Sequence, residues 1–367
     1  MKFDSVNLSV GLNNLLVNCA GLTANDKLLV VYERPEFGWW DSNLLDAISD
    51  ATEALGIKFD SLETGPPTNN KDLAVSDEME RHDCTVFLAR MGDQDRFATI
   101  PPGKKIVVCY ARDAQMMASA FGRTHHRALL QLKTALDTLI SDAVQIEVSC
   151  PLGTSFSGSI AKLAPSSDAE VSIHRFPLGV ISPIAAGNFK GQVALGNYLT
   201  PTGSGVYEPA WLKLKRPVVA HIKSGRITKF EGDMHEVQRV QHHYHRIASL
   251  FGIDPDVVHS WHVGMHQGLS YNQVASDDPD RWSNTAFNHP RFLHFHTCGN
   301  YAPGEICWMV FNQTIKIDGI DLWHDGQLCL DHFESTRHCL QKWPELNELF
   351  SQTAGETGLA HCTPSGP

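Results

Sequence analysis

Three short stretches carry residues able to do chemistry. In "SWHVGMHQG", residues 260–268, a period of two places His262, Gly264, His266 and Gly268 on one face. Imidazoles spaced by glycines suggest a face that looks onto open space. In "FLHFHTCG", His294 and His296 share a face, and Leu293 and Phe295 point the other way. In "GEICWMV", Glu305 and Cys307 share a face opposite Ile306 and Trp308. Imidazole, carboxylate and thiolate are the donors that a transition metal takes. The expected ligands are His262, His294, Glu305 and Cys307, with His266 and His296 as catalytic bases, because imidazole titrates near neutral pH. A single strand histidine is more often a hydrogen-bonded structural residue; three such segments together make the case. Spacing alone does not fix which of the six converge. Of the 19 histidines, 15 lie at or after His221, so the C-terminal part is where a site is expected.

The elements that must position these residues fall into two kinds. Up to residue 142, apolar runs of buried-strand type ("KLLVVYE", "DCTVFLA", "KKIVVCY") and "IKFDSLE" alternate with helical stretches ("SNLLDAISDATEALG", "HHRALLQLKTALDTLISDA"). That alternation predicts an open parallel α/β sheet. No G-x-G-x-x-G follows the first strand, so dinucleotide binding lacks its main support. From residue 143 the chain turns β-rich, with glycine and proline punctuation. "HIKSGRITKF" reads as a hairpin turning at Ser224-Gly225, and residues 234–252 read as one helix closed by glycine. The fold class expected is α/β: a Rossmann-like parallel-sheet domain over 1–142 and a β-rich α+β domain over 143–367 that carries the site.

Composition narrows the function classes. A net charge of −11 disfavours nucleic acid and anionic membranes as partners. No apolar run approaches the ~20 residues that span a bilayer. The N-terminus lacks the basic-then-apolar layout of a secretion signal, and the nine cysteines are scattered without a C-x-x-C pair. Both features suggest reduced thiols and a cytoplasmic protein.

The order of segments resembles the thermophilic-metalloprotease-like superfamily, which holds the M29 leucyl aminopeptidases (aminopeptidase T) and the non-haem iron 2,5-dihydroxypyridine 5,6-dioxygenases. "LLVNCAGLTANDKLLVVYE" is similar to that group's opening helix and first strand, and "VQIEVSCPLGTSFSGSI" to the start of its second domain. "GVISPIAAGNFKGQVALG" and "IKSGRITKFEGD" are similar to the β segments that follow. The resemblance implies a homodimer. It puts Gly179 of "GVISP" where the peptidases have a metal-binding glutamate, which disfavours a two-metal peptidase. It matches His262 to the histidine ligand of the dioxygenase branch. The family's last ligands form an H-x-D pair, whose place is expected at Glu305-Ile306-Cys307. The expectation is therefore a mononuclear metal-dependent enzyme of dioxygenase type, acting with Fe(II) on a small aromatic or peptide-derived substrate. Two alternatives stay open. One is an M29-like hydrolase with Zn(II). The other is a metal-free peptide-binding protein of a ribosomal-peptide natural-product pathway.

Overall fold

The structure is a computed structural model that describes residues 5–68, 72–94, 96, 99–160, 173–203, 207–299 and 304–359. The strands of the first third, joined at one edge by His174–Phe176, form a parallel five-stranded sheet in the order Lys58–Thr64, Lys27–Glu33, Cys84–Leu88, Lys105–Cys109, His174–Phe176. The Cys84–Leu88 strand is buried along its whole length, as expected for a strand covered on both faces. Helices Ser42–Leu55 and Met234–Phe251 end at Gly56 and Gly252, both left-handed, where glycine closes a helix without a Cβ clash.

The β-rich part is two antiparallel sheets. One has eight strands, from Arg226–Gly232 at one edge to Gln327–Leu328 at the other. Its hairpin turns at Ser224 and Gly225, both at positive φ (50° and 66°), the pairing a two-residue turn needs to match strand twist. The other sheet has six strands, in the order Leu212–Lys213, Tyr198–Pro201, Ile306–Phe311, Phe292–Thr297, Val258–Val263, Ile184–Ala185. The two sheets close on an aromatic core. Phe156 meets Phe295 edge-on at 5.2 Å, and Phe189 meets Trp261 at 5.6 Å. No described helix is long and apolar enough to cross a membrane.

The two parts interlock. The fifth strand of the parallel sheet, His174–Phe176, comes from beyond residue 143. Before that position, the His126–Asp142 helix sends Leu129, Leu132, Leu136 and Ile140 into the core of the antiparallel part. The chain therefore crosses between the parts more than once.

Alternation in the six-stranded sheet decides what its two faces hold. Trp261, Val263, Leu293, Phe295, Trp308 and Val310 point into the core between the sheets. The residues between them, His262, His294, His296, Cys307 and Met309, lie on the opposite face.

Candidate functional site

Register brings three of the expected residues together. His262 sits directly opposite His294, and His296 is two positions further along the same strand. The His262 and His294 rings stack with centroids 4.3 Å apart, and the His262 and His296 rings lie at 4.8 Å. His296 Nε2 is 2.9 Å from His262 Nε2, so one ring donates to the other. His294 Nδ1 donates to the His262 carbonyl at 3.2 Å. That bond fixes the tautomer and leaves Nε2 of His294 as a bare lone pair. His262 Nδ1 makes no hydrogen bond of normal geometry, although the Ile181 main chain leans against it.

All three imidazoles are neutral at pH 7. Burial holds His294 down to about 4. It holds His262 and His296 well below the ordinary value, with the neighbouring histidines and Arg175 adding to the effect. Neutral imidazole is the form that binds a metal.

The cluster forms one wall of a cavity of about 40 Å³ between the two parts of the molecule. Cys307, opposite His296, lies on the same wall. Asp93, Arg96, Tyr110 and Arg175 come from the parallel-sheet part; Ser283, Asn284 and Phe287 come from the Pro279–Ala286 helix and the residue after it. Tyr110 donates its hydroxyl proton to Asp93 at 2.9 Å, and Asp93 also holds Arg96, 3.7 Å away. Arg175 sits in the edge strand of the parallel sheet beside Val108, and its Nε is buried without a hydrogen-bond partner.

The other expected residues fall elsewhere. The strand ends at Val263, so the period of two stops before His266. His266 is fully buried against Phe121, 4.8 Å away edge-on, and accepts the Gly268 N–H at 3.2 Å. It does not line the cavity. The glycines do not face open space either: a Cβ on Gly264 would overlap the His289 carbonyl, and Gly268 packs on Ala120 and Leu349. Glu305 precedes the Ile306–Phe311 strand and lies outside the cavity lining. Burial raises its carboxyl, partly opposed by Arg96. Cys307 is in place, but burial pushes its thiol up to about 12, so it is not a ready thiolate. At position 179 a Cβ would meet the Asn288 side chain at 2.5 Å. Asn288 occupies the space that a carboxylate there would need.

Among the described residues, no three His, Cys, Asp or Glu side chains stand in ready metal-binding geometry. His262 and His296 bring their Nε2 atoms together, while the His294 ring stacks on His262 and turns its Nδ1 to the His262 carbonyl. By donor chemistry the set fits a metal that prefers imidazole: three neutral rings on adjacent strands, one with its tautomer already fixed. Sequence reasoning missed Arg96, Arg175, Asp93 and Tyr110. Only the fold brings them to the histidines, from elements up to about 200 positions away in the chain.

No family model matches the chain, and no curated protein matches it. Solved structures do. The 2,5-dihydroxypyridine dioxygenase from Pseudomonas putida KT2440 superposes with a TM-score of 0.60 at 13% identity, over 92% of this chain and 100% of that one. AmpT from Thermus thermophilus superposes at 0.53 and 11% identity, over 89% of this chain and 99% of that one. At such identities the likeness is one of fold: the chain has the α/β architecture of these two proteins.

Proposed function

We propose that this chain is a metal-dependent enzyme with a single transition-metal site made by His262, His294 and His296. The reading rests on one observation: three neutral imidazoles from adjacent strands meet on one face, with Nε2 atoms of His262 and His296 2.9 Å apart. Metal binding would replace the hydrogen bond between them. In the family pattern stated above, the place of the H-x-D pair then falls to His294-Phe295-His296 and not to residues 305–307, with a histidine in place of the carboxylate.

A three-imidazole set carries no charge of its own. A bound Fe(II) or Zn(II) would supply a Lewis acid with open positions for substrate and for oxygen or water. The chain's own residues supply the rest. The His262 carbonyl holds His294 in one tautomer, Thr202 Oγ1 stands 3.4 Å from His296 Nδ1, and Phe287 and Gly203 line the same cavity. Dioxygenase-type chemistry on a small molecule is the finer reading, supported by the fold shared with the pyridine-ring dioxygenase; zinc-dependent hydrolysis is its nearest competitor. Elemental analysis of protein purified without chelators, with Fe(II), Co(II) and Zn(II) titrations, tests the core of it. A protein that binds no equivalent of any of the three overturns it.

A second reading draws on the same hydrogen bond. His262 and His296 satisfy each other without a metal, as they would in a metal-free binding protein. In that case ligand affinity is unaltered by chelator and by added metal.

A further inference from the structure

We propose that the cavity beside the histidines recognises the carboxylate group of a small organic acid, and that Arg175 is its anchor. The proposal deepens the reading above and rests on this cavity being the functional site, though not on the identity of the metal.

The argument begins with charge. Two guanidiniums, Arg96 and Arg175, line the cavity, against one carboxylate, Asp93. Asp93 is already engaged, accepting from Tyr110 and holding Arg96. Arg175 has no carboxylate partner among the described residues, and its Nε is buried and unpaired. A buried guanidinium nitrogen without an acceptor costs free energy, which a water, an ion or a ligand that accepts from it would recover. Arg175 lines the cavity together with all three histidines and Tyr110.

The surroundings add to the same potential. Arg112 is fully buried behind Tyr110, 4.3 Å from the Trp40 ring and 5.3 Å from Trp39. It donates to neutral groups, Thr285 Oγ1 at 2.9 Å and the Asn284 carbonyl at 2.7 Å. Arg90 is neutralised by Glu33 at 2.7 Å. Asp280, behind Asn284 and bonded to its side-chain amide at 2.8 Å, is raised to about 8, first by burial and then by the neighbouring Asp278. Among the described residues that line the cavity, the two guanidiniums face one carboxylate, an arrangement in which an anionic ligand gains most.

Size and geometry select the anion. A cavity of about 40 Å³ holds roughly three waters, the bulk of one carboxylate group. A planar guanidinium pairs with a planar carboxylate through two parallel bonds. Three neutral imidazoles would leave a bound divalent ion with its full charge, which an anionic ligand offsets.

The test uses the full chain, once treated with chelator and once loaded with Zn(II), at pH 7.5 and constant ionic strength. Acetate and its neutral isostere acetamide are titrated by isothermal calorimetry. The imidazole resonances of His262, His294 and His296 report where binding occurs. Acetate is expected to bind at least about tenfold more tightly than acetamide and to shift those resonances. Arg175→Gln is expected to lose about tenfold or more of the acetate affinity, and Arg175→Lys to retain part of it. Equal binding of acetate and acetamide, or wild-type acetate affinity in Arg175→Gln, overturns the proposal. If Arg175→Gln does not fold, the acetate-to-acetamide ratio and the Arg175→Lys variant decide. A protein that takes no metal but still binds acetate through Arg175 refutes the metal reading and leaves the anchor standing.

Discussion

His262 and His294 face each other across an antiparallel pair, their rings stacked at 4.3 Å, and the second ring donates to the first residue's carbonyl. One side chain is thus oriented by the main chain of its partner. His294→Asn keeps a donor at this position but removes the free Nε2, whereas His294→Ala removes both. If the ring serves only to brace the strand, Asn restores stability. If it serves as a ligand, Asn restores stability without restoring metal affinity. Thermal melts alongside Zn(II) titration separate the two, and full metal affinity in His294→Asn contradicts the ligand role.

The neighbouring thiol and carboxylate should matter little to metal binding. The Cys307 thiol is turned to the Trp308 carbonyl, 3.7 Å away, and Glu305 lies outside the cavity lining. Cys307→Ser and Glu305→Gln are expected to bind Co(II) within about threefold of wild type, without a thiolate charge-transfer band in either protein. A near-ultraviolet thiolate band lost in Cys307→Ser would return the thiol to the ligand set.

Gly264 is a packing glycine. A Cβ there would run into the His289 carbonyl, and backbone yields less readily than a side chain. Gly264→Ala is expected to lose about 3 kcal/mol of stability, and His262, two residues before it, would shift with it. A denaturant midpoint unchanged from wild type contradicts this packing.

Acid should unfold the protein early. Burial holds His126, His243 and His289 at about 4 in the folded chain, against about 6.5 in the unfolded one. Between those values the unfolded state binds more protons, so stability is full above about pH 6.5 and falls as pH drops toward 4. Melting temperatures taken from pH 7.5 to 4.5 should decline through that window, and less so in His243→Gln. A flat profile contradicts neutral burial of these rings.

Much of the fold was legible because its signals are local. The apolar runs at 27–33 and 84–88 read directly as parallel strands, and the glycines at 56 and 252 marked helix ends correctly. The period of two in "FLHFHTCG" placed His294 and His296 on one face correctly, because the strand continues through both. The same rule failed at His266, because the strand stops at Val263 and Gly264 packs against the His289 main chain. It failed at Glu305 for the mirror reason: the strand begins one residue later. The pairing of His262 with His294 depends on strand register, which no single stretch encodes. Arg175 lies in a three-residue strand with no periodicity to read, and only the return of the chain to the parallel sheet brings it to the histidines.

The central claim is that three imidazoles hold one metal ion. Its most direct measurement is an anaerobic Co(II) titration of chelator-treated protein at pH 7.5, read by visible absorption and calorimetry, for wild type and for His262→Ala, His294→Ala and His296→Ala. The account predicts one equivalent bound with a ligand-field spectrum in wild type, and affinity reduced at least about a hundredfold in each variant that keeps its fold. Wild-type protein that takes up no Co(II), or variants that bind it as wild type does, would contradict it.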